Sequence, residues 1–437
     1  MTNDEWRVTS EARITNDEAR HRAPAAVIRH WGFVIPPSFG ITHSLFSPTC
    51  LDLPAHILFS ISARIGGSGL DSDAFEALRG AHRAGILRRA VAYDNRQREI
   101  PGALIETLRW HPVRLLSFLE SRFYYGAKKH ALDRVTARRL ASGRHDLFHS
   151  WSGDCVRTLR TAKRLGIPSV LEIPTWHRNK GRIKPAVTKS EREMRTAPLL
   201  ARLRHGLLIS RQQMLEEYEL ADVILVLSEK AAETFRSAGV PEKKLFLLPR
   251  GTDIERFTPG ETPSTFRAIF TGALIKRKGV HVLLEAWQRL ALKDAELVLV
   301  GAVHEEIKPF LEKFATPSVK LAGFVSRTED HYRRSSVHVF PSSCEGSAKV
   351  TYDAAACGLA QITTRESGDV VLDGVNGLVI PPEDPDALAA AIEKLYRDRE
   401  LCARFGAAGR KRVVENFTWD HYRARLLEAY GVALRSR

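Results

Sequence analysis

Residues 342–359 read SSCEGSAKVTYDAAACGL, and they follow VHVFP (337–341), a short β-branched run with the length of a buried strand. SAKVTYDAAAC (347–357) has four alanines and no glycine, so it is predicted to be a helix that Gly358 ends. Glu345 and Gly346 then occupy a strand-to-helix turn, beside the unpaired N–H groups of the first helical turn. Asp353 falls about two turns along, roughly 9 Å up the axis. One acid sits at the mouth and one lies along the helix, with the positive end of the helix dipole near the first. A bare anion would be repelled by Glu345. A ligand with hydroxyls at both ends and phosphate between them suits all three features, and a nucleotide-sugar has that form. As an isolated pair, the two acids read more simply as a loop acid and a solvated helix acid. The rest of the chain has to decide.

At 437 residues the chain is too long for one ordinary core, and two domains of about 200 residues are expected. Its 44% hydrophobic and 27% charged content is that of a soluble globular protein. No apolar run reaches the ~18 residues of a membrane span. The opening MTNDEWRVTSEARITNDEAR is charged throughout and does not read as a secretory signal. Five scattered cysteines, odd in number and without a CxxC pair, suggest a reduced cytoplasmic protein with no zinc site. His145 and His149 do not form a metal pair either, because four residues of strand span about 13 Å.

The net charge of +15 is unevenly placed. Residues 1–250 carry 40 Lys and Arg against 26 Asp and Glu, whereas 251–437 carry 26 against 25. The excess concentrates in 101–204, with 22 basic and 8 acidic residues. The halves therefore face different partners, and the basic half suits nucleic acid, an anionic membrane or an acidic substrate.

Working outward from 342–359, short apolar runs alternate with helical patterns in both directions. HILFSIS (56–62), AVAY (90–93), DLFHSW (146–151), SVLEI (169–173), DVILVLS (222–228) and KLFLLP (244–249) read as strands. Helical patterns fall at 102–141, 153–165, 186–220 and 229–238. TDIERFTPGETPS (252–264) is a proline-bearing linker, after which the rhythm restarts. RAIFTGA (267–273), AELVLVG (295–301), VKLAGFV (319–325), VHVFP, AQITT (360–364) and GLVIPP (377–382) are the second set of strands. The expected fold class is α/β: two tandem doubly wound, Rossmann-like domains facing across a cleft. Ligands of such sheets bind beyond the carboxyl ends of the strands. Residues 1–53 give no structural reading.

KLFLLPRGTDIERFTP (244–259), FTGALIKRKGVHVLLEAW (270–287), PSSCEGSAKVTYDAAACGL (341–359) and GVNGLVIPPEDPDALAAAI (374–392) stand in the order and spacing of one family. Together they resemble family-four glycosyltransferases of the GT-B fold. LFHSWSGDCVRTLRTAKRLGIPSVLEIPTWH (147–177) and ELADVILVLSEKAAETF (219–235) extend the resemblance to 145–437. It implies a retaining hexosyltransferase that uses a nucleotide diphosphate sugar, UDP- or GDP-linked, without a bound metal or other cofactor. It also implies an acceptor domain at 54–255, a donor domain at 256–417 and a last helix, 418–437, packing back on the first domain.

Carried over by resemblance, Glu345 is the acid that meets donor-sugar hydroxyls and Asp353 the acid that meets the ribose. The backbone from Gly346 through Ser347, Ala348 and Lys349 would face sugar and phosphate. Lys278 would neutralise the diphosphate, a leaving group that needs fixed cations aimed at it. Gly272 begins that loop. Gly66 and Gly67, in GGSG (66–69), resemble the first-strand loop that touches donor phosphate, although such a tetrad alone is usually a turn. His177 resembles a histidine beside the reacting centre, and a lone strand-end histidine is equally often structural.

Two positions depart from the family. Asp353 is one methylene shorter than the usual glutamate. Ala273 stands where many members place an arginine, and Arg277 or Lys276 is expected to substitute. A sugar-phosphate synthase, an epimerase or a weakly active pseudo-transferase shares the same donor half. Nucleic acid is not expected, since no zinc spacing or aromatic–basic sheet motif is present. The stretch RWHPVRLLSFLESRFYYGAKKHALDRVTARRL (109–140) mixes aromatics with Arg and Lys. It reads either as a core helix with a basic face or as an amphipathic helix on an anionic bilayer. The expected partners are a nucleotide-sugar donor, a glycan or lipid-linked acceptor and the inner face of the cell membrane.

Overall fold

The computed structural model describes residues 56–66, 70–179, 198, 206–261 and 263–436. Gly67, residues 1–53 and, Pro198 apart, residues 186–205 of the helical pattern at 186–220 lie outside these.

Two all-parallel sheets organise the described chain. The first contains β1 (Ile57–Ile65), β2 (Leu87–Asn95), β3 (Ile105–Thr107), β4 (Leu147–Trp151), β5 (Ser169–Ile173), β6 (Val223–Val226) and β7 (Leu245–Leu247). Their spatial order is β3-β2-β1-β4-β5-β6-β7. The second contains β8 (Phe266–Thr271), β9 (Ala295–Val300), β10 (Val319–Gly323), β11 (Val337–Phe340), β12 (Ala360–Thr364) and β13 (Gly377–Ile380), in the order β10-β9-β8-β11-β12-β13. Both are doubly wound, as the sequence suggested. The order reverses between β1 and β4 and again between β8 and β11, and those switch points are where such sheets open a crevice.

Side-chain alternation explains why each sheet needs cover on both faces. Ile57, Phe59 and Ile61 of β1 join one core, while Leu58 joins another with Val91, Phe148, Leu171 and Ile224. Helices α1 (Leu70–Arg83) and α2 (Ser121–Ser142) supply parts of that cover, with α3 (Val156–Leu165), α4 (Arg211–Leu220) and α5 (Glu229–Arg236). The second sheet is covered by α6 (Val280–Leu290), α7 (Lys308–Phe314), α8 (Thr328–Tyr332), α9 (Lys349–Ala356), α10 (Pro385–Arg397) and α11 (Arg399–Asn416). The chain then re-crosses. Thr252 N–H donates to Phe417 O at 2.9 Å where the outgoing and returning strands of chain meet. The last helix, α12 (Trp419–Arg435), buries Tyr422, Leu426, Ala429 and Tyr430 in the first unit's core with Ile57, Phe59 and Ala77.

The expected helix at 102–141 divides. A 3-10 turn at Gly102–Leu104, the edge strand β3 and a 3-10 stretch at Pro112–Phe118 precede α2. Proline supplies the break: Pro112 begins the 3-10 stretch, and His111 Nδ1 accepts from Val113 N–H at 3.1 Å. α2 itself packs inward through Gly126, Ala127, Ala131, Leu132 and Leu140. It is a core helix with a basic outer face, not a free amphipathic one.

Candidate active site

The loops that leave β8 and β11 lie at the second sheet's switch point and carry most of the predicted residues. Gly272 follows β8 with φ +130, a conformation that favours glycine, and its N–H donates to Val300 O at 2.9 Å. A Cβ at this position would stand 2.7 Å from Lys278 Nζ. The lysine therefore folds over a residue that has no side chain to displace it. Burial holds the Lys278 ammonium below the ordinary lysine value, and Glu345 draws it back up. Its Nζ lies 5.6 Å from the centroid of the Phe340 ring. Among the described residues it has no hydrogen-bonded or ion-paired partner.

Arg277 is placed differently from its neighbour. Its guanidinium reaches Glu345 Oε1 at 2.8 Å and also donates to Cys344 O. Its carbonyl accepts from Ser343 N–H at 2.9 Å and from the Ser342 hydroxyl at 3.1 Å. The β8 and β11 loops are thus tied together through this one residue. The expectation that Arg277 replaces the missing arginine at Ala273 meets a guanidinium already engaged with a carboxylate. Lys276 lies exposed, with its ammonium 4.8 Å from the Phe310 ring centroid.

Helix α9 begins at Lys349, two residues later than the sequence implied. The Ser347 hydroxyl pairs with Tyr352 OH at 2.7 Å, and Ala348 N–H donates to Ser367 O at 2.8 Å. That leaves Ala348 N–H engaged within the protein rather than facing a ligand. Gly358 ends the helix in the left-handed region, φ +73, as expected. Asp353 is buried. Its Oδ1 accepts from the Thr252 hydroxyl at 2.6 Å and from Lys349 Nζ at 3.4 Å.

The first unit meets this turn directly. A Cβ on Gly346 would lie 2.3 Å from Pro174 O, at the end of β5, and the Ser228 hydroxyl donates to Gly346 O. Glu229 N–H donates to Asp369 Oδ2 at 2.7 Å along the same seam. His177 stands three residues beyond Pro174 and is only 5% exposed. Its ring centroid lies 4.9 Å from that of Phe235 and 5.1 Å from that of Tyr218, and its backbone N–H donates to Thr234 Oγ1 at 3.0 Å. Gly66, φ +83, ends β1 where a Cβ would be 2.7 Å from Gln97 Cβ.

Sequence reasoning missed Arg250. It is buried, ion-paired to Asp73 of α1, and close enough to Glu345 and Asp353 to interact electrostatically with both. Burial is the first influence on it and lowers its pKa. The only signal was a charge directly after the apolar run LFLLP. Among the described residues no group of three or more His, Cys, Asp or Glu side chains is placed to hold a metal ion.

Two family models match adjoining stretches of the chain: Glycosyltransferase Family 4 over residues 75–256 and glycosyl transferases group 1 over 265–398. The chain is 32% identical over 157 residues to the capsular polysaccharide biosynthesis glycosyltransferase CapM of Staphylococcus aureus, covering 34% of this chain and 41% of that protein. It is 30% identical over 234 residues to a D-inositol 3-phosphate glycosyltransferase of Geodermatophilus obscurus, covering 47% and 51%. The matches thus span about half the length of these curated relatives. The fold is similar to that of Anabaena HepE in complex with UDP-glucose, with a TM-score of 0.60, 16% identity and coverage of 86% and 99%. Sheets, switch-point loops and both models agree, and the chain belongs to the family-four glycosyltransferases of the GT-B fold.

Proposed function

We propose that the protein is a retaining glycosyltransferase that moves a hexose from a UDP- or GDP-linked donor to a glycan or lipid-linked acceptor. The observation that carries this is the Lys278 ammonium, half-buried and unpartnered among the described residues, at the switch point beside Gly272. A cation so placed is aimed at the charge that grows on a departing diphosphate. Glu345, oriented by Arg277, accepts from sugar hydroxyls. The second oxygen of Asp353 accepts from the ribose while Thr252 holds the first. The acceptor hydroxyl attacks from the leaving-group face, so no enzyme nucleophile is required. His177 acts as a positioning residue that stiffens the strand end meeting Gly346. The names of the curated relatives support a role in capsule-like or envelope glycan synthesis.

The test is a thermal-shift screen of nucleotide-sugars followed by NMR of the product anomer, since a ligand selective for the folded state raises its melting temperature. Stabilisation with release of nucleoside diphosphate and a retained anomer supports the reading. Stabilisation without turnover favours a pseudo-transferase, a reading that Ala273 and the engaged Arg277 make specific. No stabilisation by any nucleotide-sugar overturns both.

The membrane contact we propose lies before α2 rather than along it. Trp110, Leu115 and Phe118 are 90%, 76% and 79% exposed, flanked by Arg109 and Arg122. Exposed aromatics beside cations suit the interface of an acidic bilayer, where each nearby Lys or Arg contributes about 1 kcal/mol. No helix among the described residues is long and apolar enough to cross a membrane. Liposome co-sedimentation should require acidic lipid, weaken with salt and fall sharply in Trp110→Ser/Phe118→Ser; binding indifferent to all three removes the membrane and leaves a glycan acceptor in solution.

A further inference from the structure

Helices α2 and α3 present facing stripes of arginine. Arg134 and Arg138 stand one turn apart on α2; Arg157, Arg160 and Arg164 follow at three- and four-residue spacing on α3. Together they line a cavity of about 510 Å³, with Ala137, Ala141 and Thr161 between them. Arg134, Arg157 and Arg160 also line a second cavity of about 310 Å³ that includes His130 and Val156. His130 and Val156 in turn border a small recess at Gly153 and Asp154, just past the end of β4. The three form one track from the strand ends of the first sheet down the outside of the domain. From Val156 to Arg164 it runs about 12 Å.

All five arginines are exposed. Arg160 is held by Glu216, at 2.6 Å through both nitrogens. Among the described residues the other four guanidiniums form no ion pair, although Arg157 feels the buried Asp133 carboxyl beside its backbone. Other arginines of the molecule are taken up by acids: Arg79 pairs with Glu76 and Glu99, Arg236 with Glu229 and Glu242, Arg267 with Glu296. Like charges at one-turn spacing destabilise the helices that carry them. The positive field also reaches inward, where His111 and His130 lie below their ordinary values, through burial first and these arginines besides.

We propose that this trough binds an acidic glycan chain, with the carboxylates of successive uronate residues paired to the guanidinium forks. Arginine matches a planar carboxylate in a way a lysine ammonium does not. The larger cavity holds no aromatic side chain and the track as a whole no Phe, Tyr or Trp, which argues against single-stranded nucleic acid, whose bases stack on aromatics. The track is lined mainly by arginines and lacks the exposed Trp and Phe of the Trp110–Phe118 surface. Calling the bound chain the transferase's acceptor or elongating product rests on the function proposed above, but the binding itself does not.

The experiment is calorimetric titration of the full chain, without donor, using an octagalacturonate probe, with maltooctaose and oligothymidylate as comparison ligands. Octagalacturonate should bind at least about tenfold more tightly than maltooctaose at low salt and lose that advantage as screening rises. Arg138→Ser/Arg164→Ser should weaken it about tenfold, the loss expected for two charge-assisted contacts. Arg138→Lys/Arg164→Lys should recover only part, because charge returns without the fork. Melting temperatures at or above wild type would show the variants folded, since removing like charges relieves repulsion. Equal binding of octagalacturonate by wild type and the serine variant overturns the proposal. So does oligothymidylate binding that is tighter and equally arginine-dependent, which would make the trough a nucleic-acid site. Because no donor is present, neither result depends on whether sugar transfer occurs.

Discussion

At the scale of single residues, one ion pair joins the two loops that carry Lys278 and Glu345. Arg277 meets Glu345 across a separation of 68 positions, and no local pattern announces such a pair. The consequence is that Glu345 is an oriented carboxylate rather than a floating one. Glu345→Gln should lower turnover at least about tenfold, roughly 1.4 kcal/mol of barrier. It should barely move the melting temperature, since a half-exposed ion pair contributes little to stability. Wild-type turnover in the purified variant would remove Glu345 from the site. Lys278→Ala should weaken binding of a nucleoside diphosphate much more than binding of the nucleoside, because the ammonium addresses only the phosphates. Calorimetry with both ligands decides this, and equal losses would defeat the phosphate assignment. Sequence alone could not place Arg250 either: it is buried and paired with Asp73, yet near enough to both acids to interact with them electrostatically.

At the scale of elements, strands were easier to read than helices. A strand buried on both faces is a compact apolar run, and twelve of the thirteen described strands coincide with runs read from the sequence, β3 being the exception. β3 is three residues long at a sheet edge, too short for any periodicity to register. α2 was ambiguous because its arginines face outward while its buried contacts use glycine and alanine, which carry little hydrophobic signal. The turn before α9 shows a different limit. Its glycine looked like a ligand-facing residue, yet its most demanding contact is with Pro174 O of the other unit. Gly346→Ala would push a methyl group against backbone that cannot rotate away. The expected result is a loss of about 1–3 kcal/mol in denaturant unfolding together with weaker donor binding. If both stay at wild type, the two units do not meet at Gly346 in solution.

At the scale of the whole molecule, the chain closes on itself: α12, the last helix in the sequence, completes the core that β1 and α1 begin. Beneath α12, His149 Nδ1 lies 2.8 Å from Tyr430 OH, and Tyr422 OH donates to Glu172 Oε2 at 3.3 Å. Both ionisable groups are fully enclosed. Burial lowers His149 to about 3, so its imidazole stays neutral, and raises Glu172 to about 7. The raised carboxyl gives a definite pH dependence. An unfolded glutamate releases its proton near pH 4.5. Between there and pH 7 the folded chain keeps a proton that the unfolded chain has lost, so stability from this site is complete below pH 4.5 and declines as pH rises to 7. Glu172→Gln removes the charge at every pH, and its amide can donate toward His149 Nε2, which lies 3.7 Å from the present carboxylate oxygen and has no hydrogen-bond partner. The variant should match wild type near pH 4.5 and exceed it by an amount that grows to about 1–3 kcal/mol by pH 7.5, then level off. Urea unfolding across pH 5 to 8 measures this directly. A difference between the two proteins that stays flat over that range would mean Glu172 is charged in the fold, and that α12 covers a carboxylate rather than a carboxylic acid.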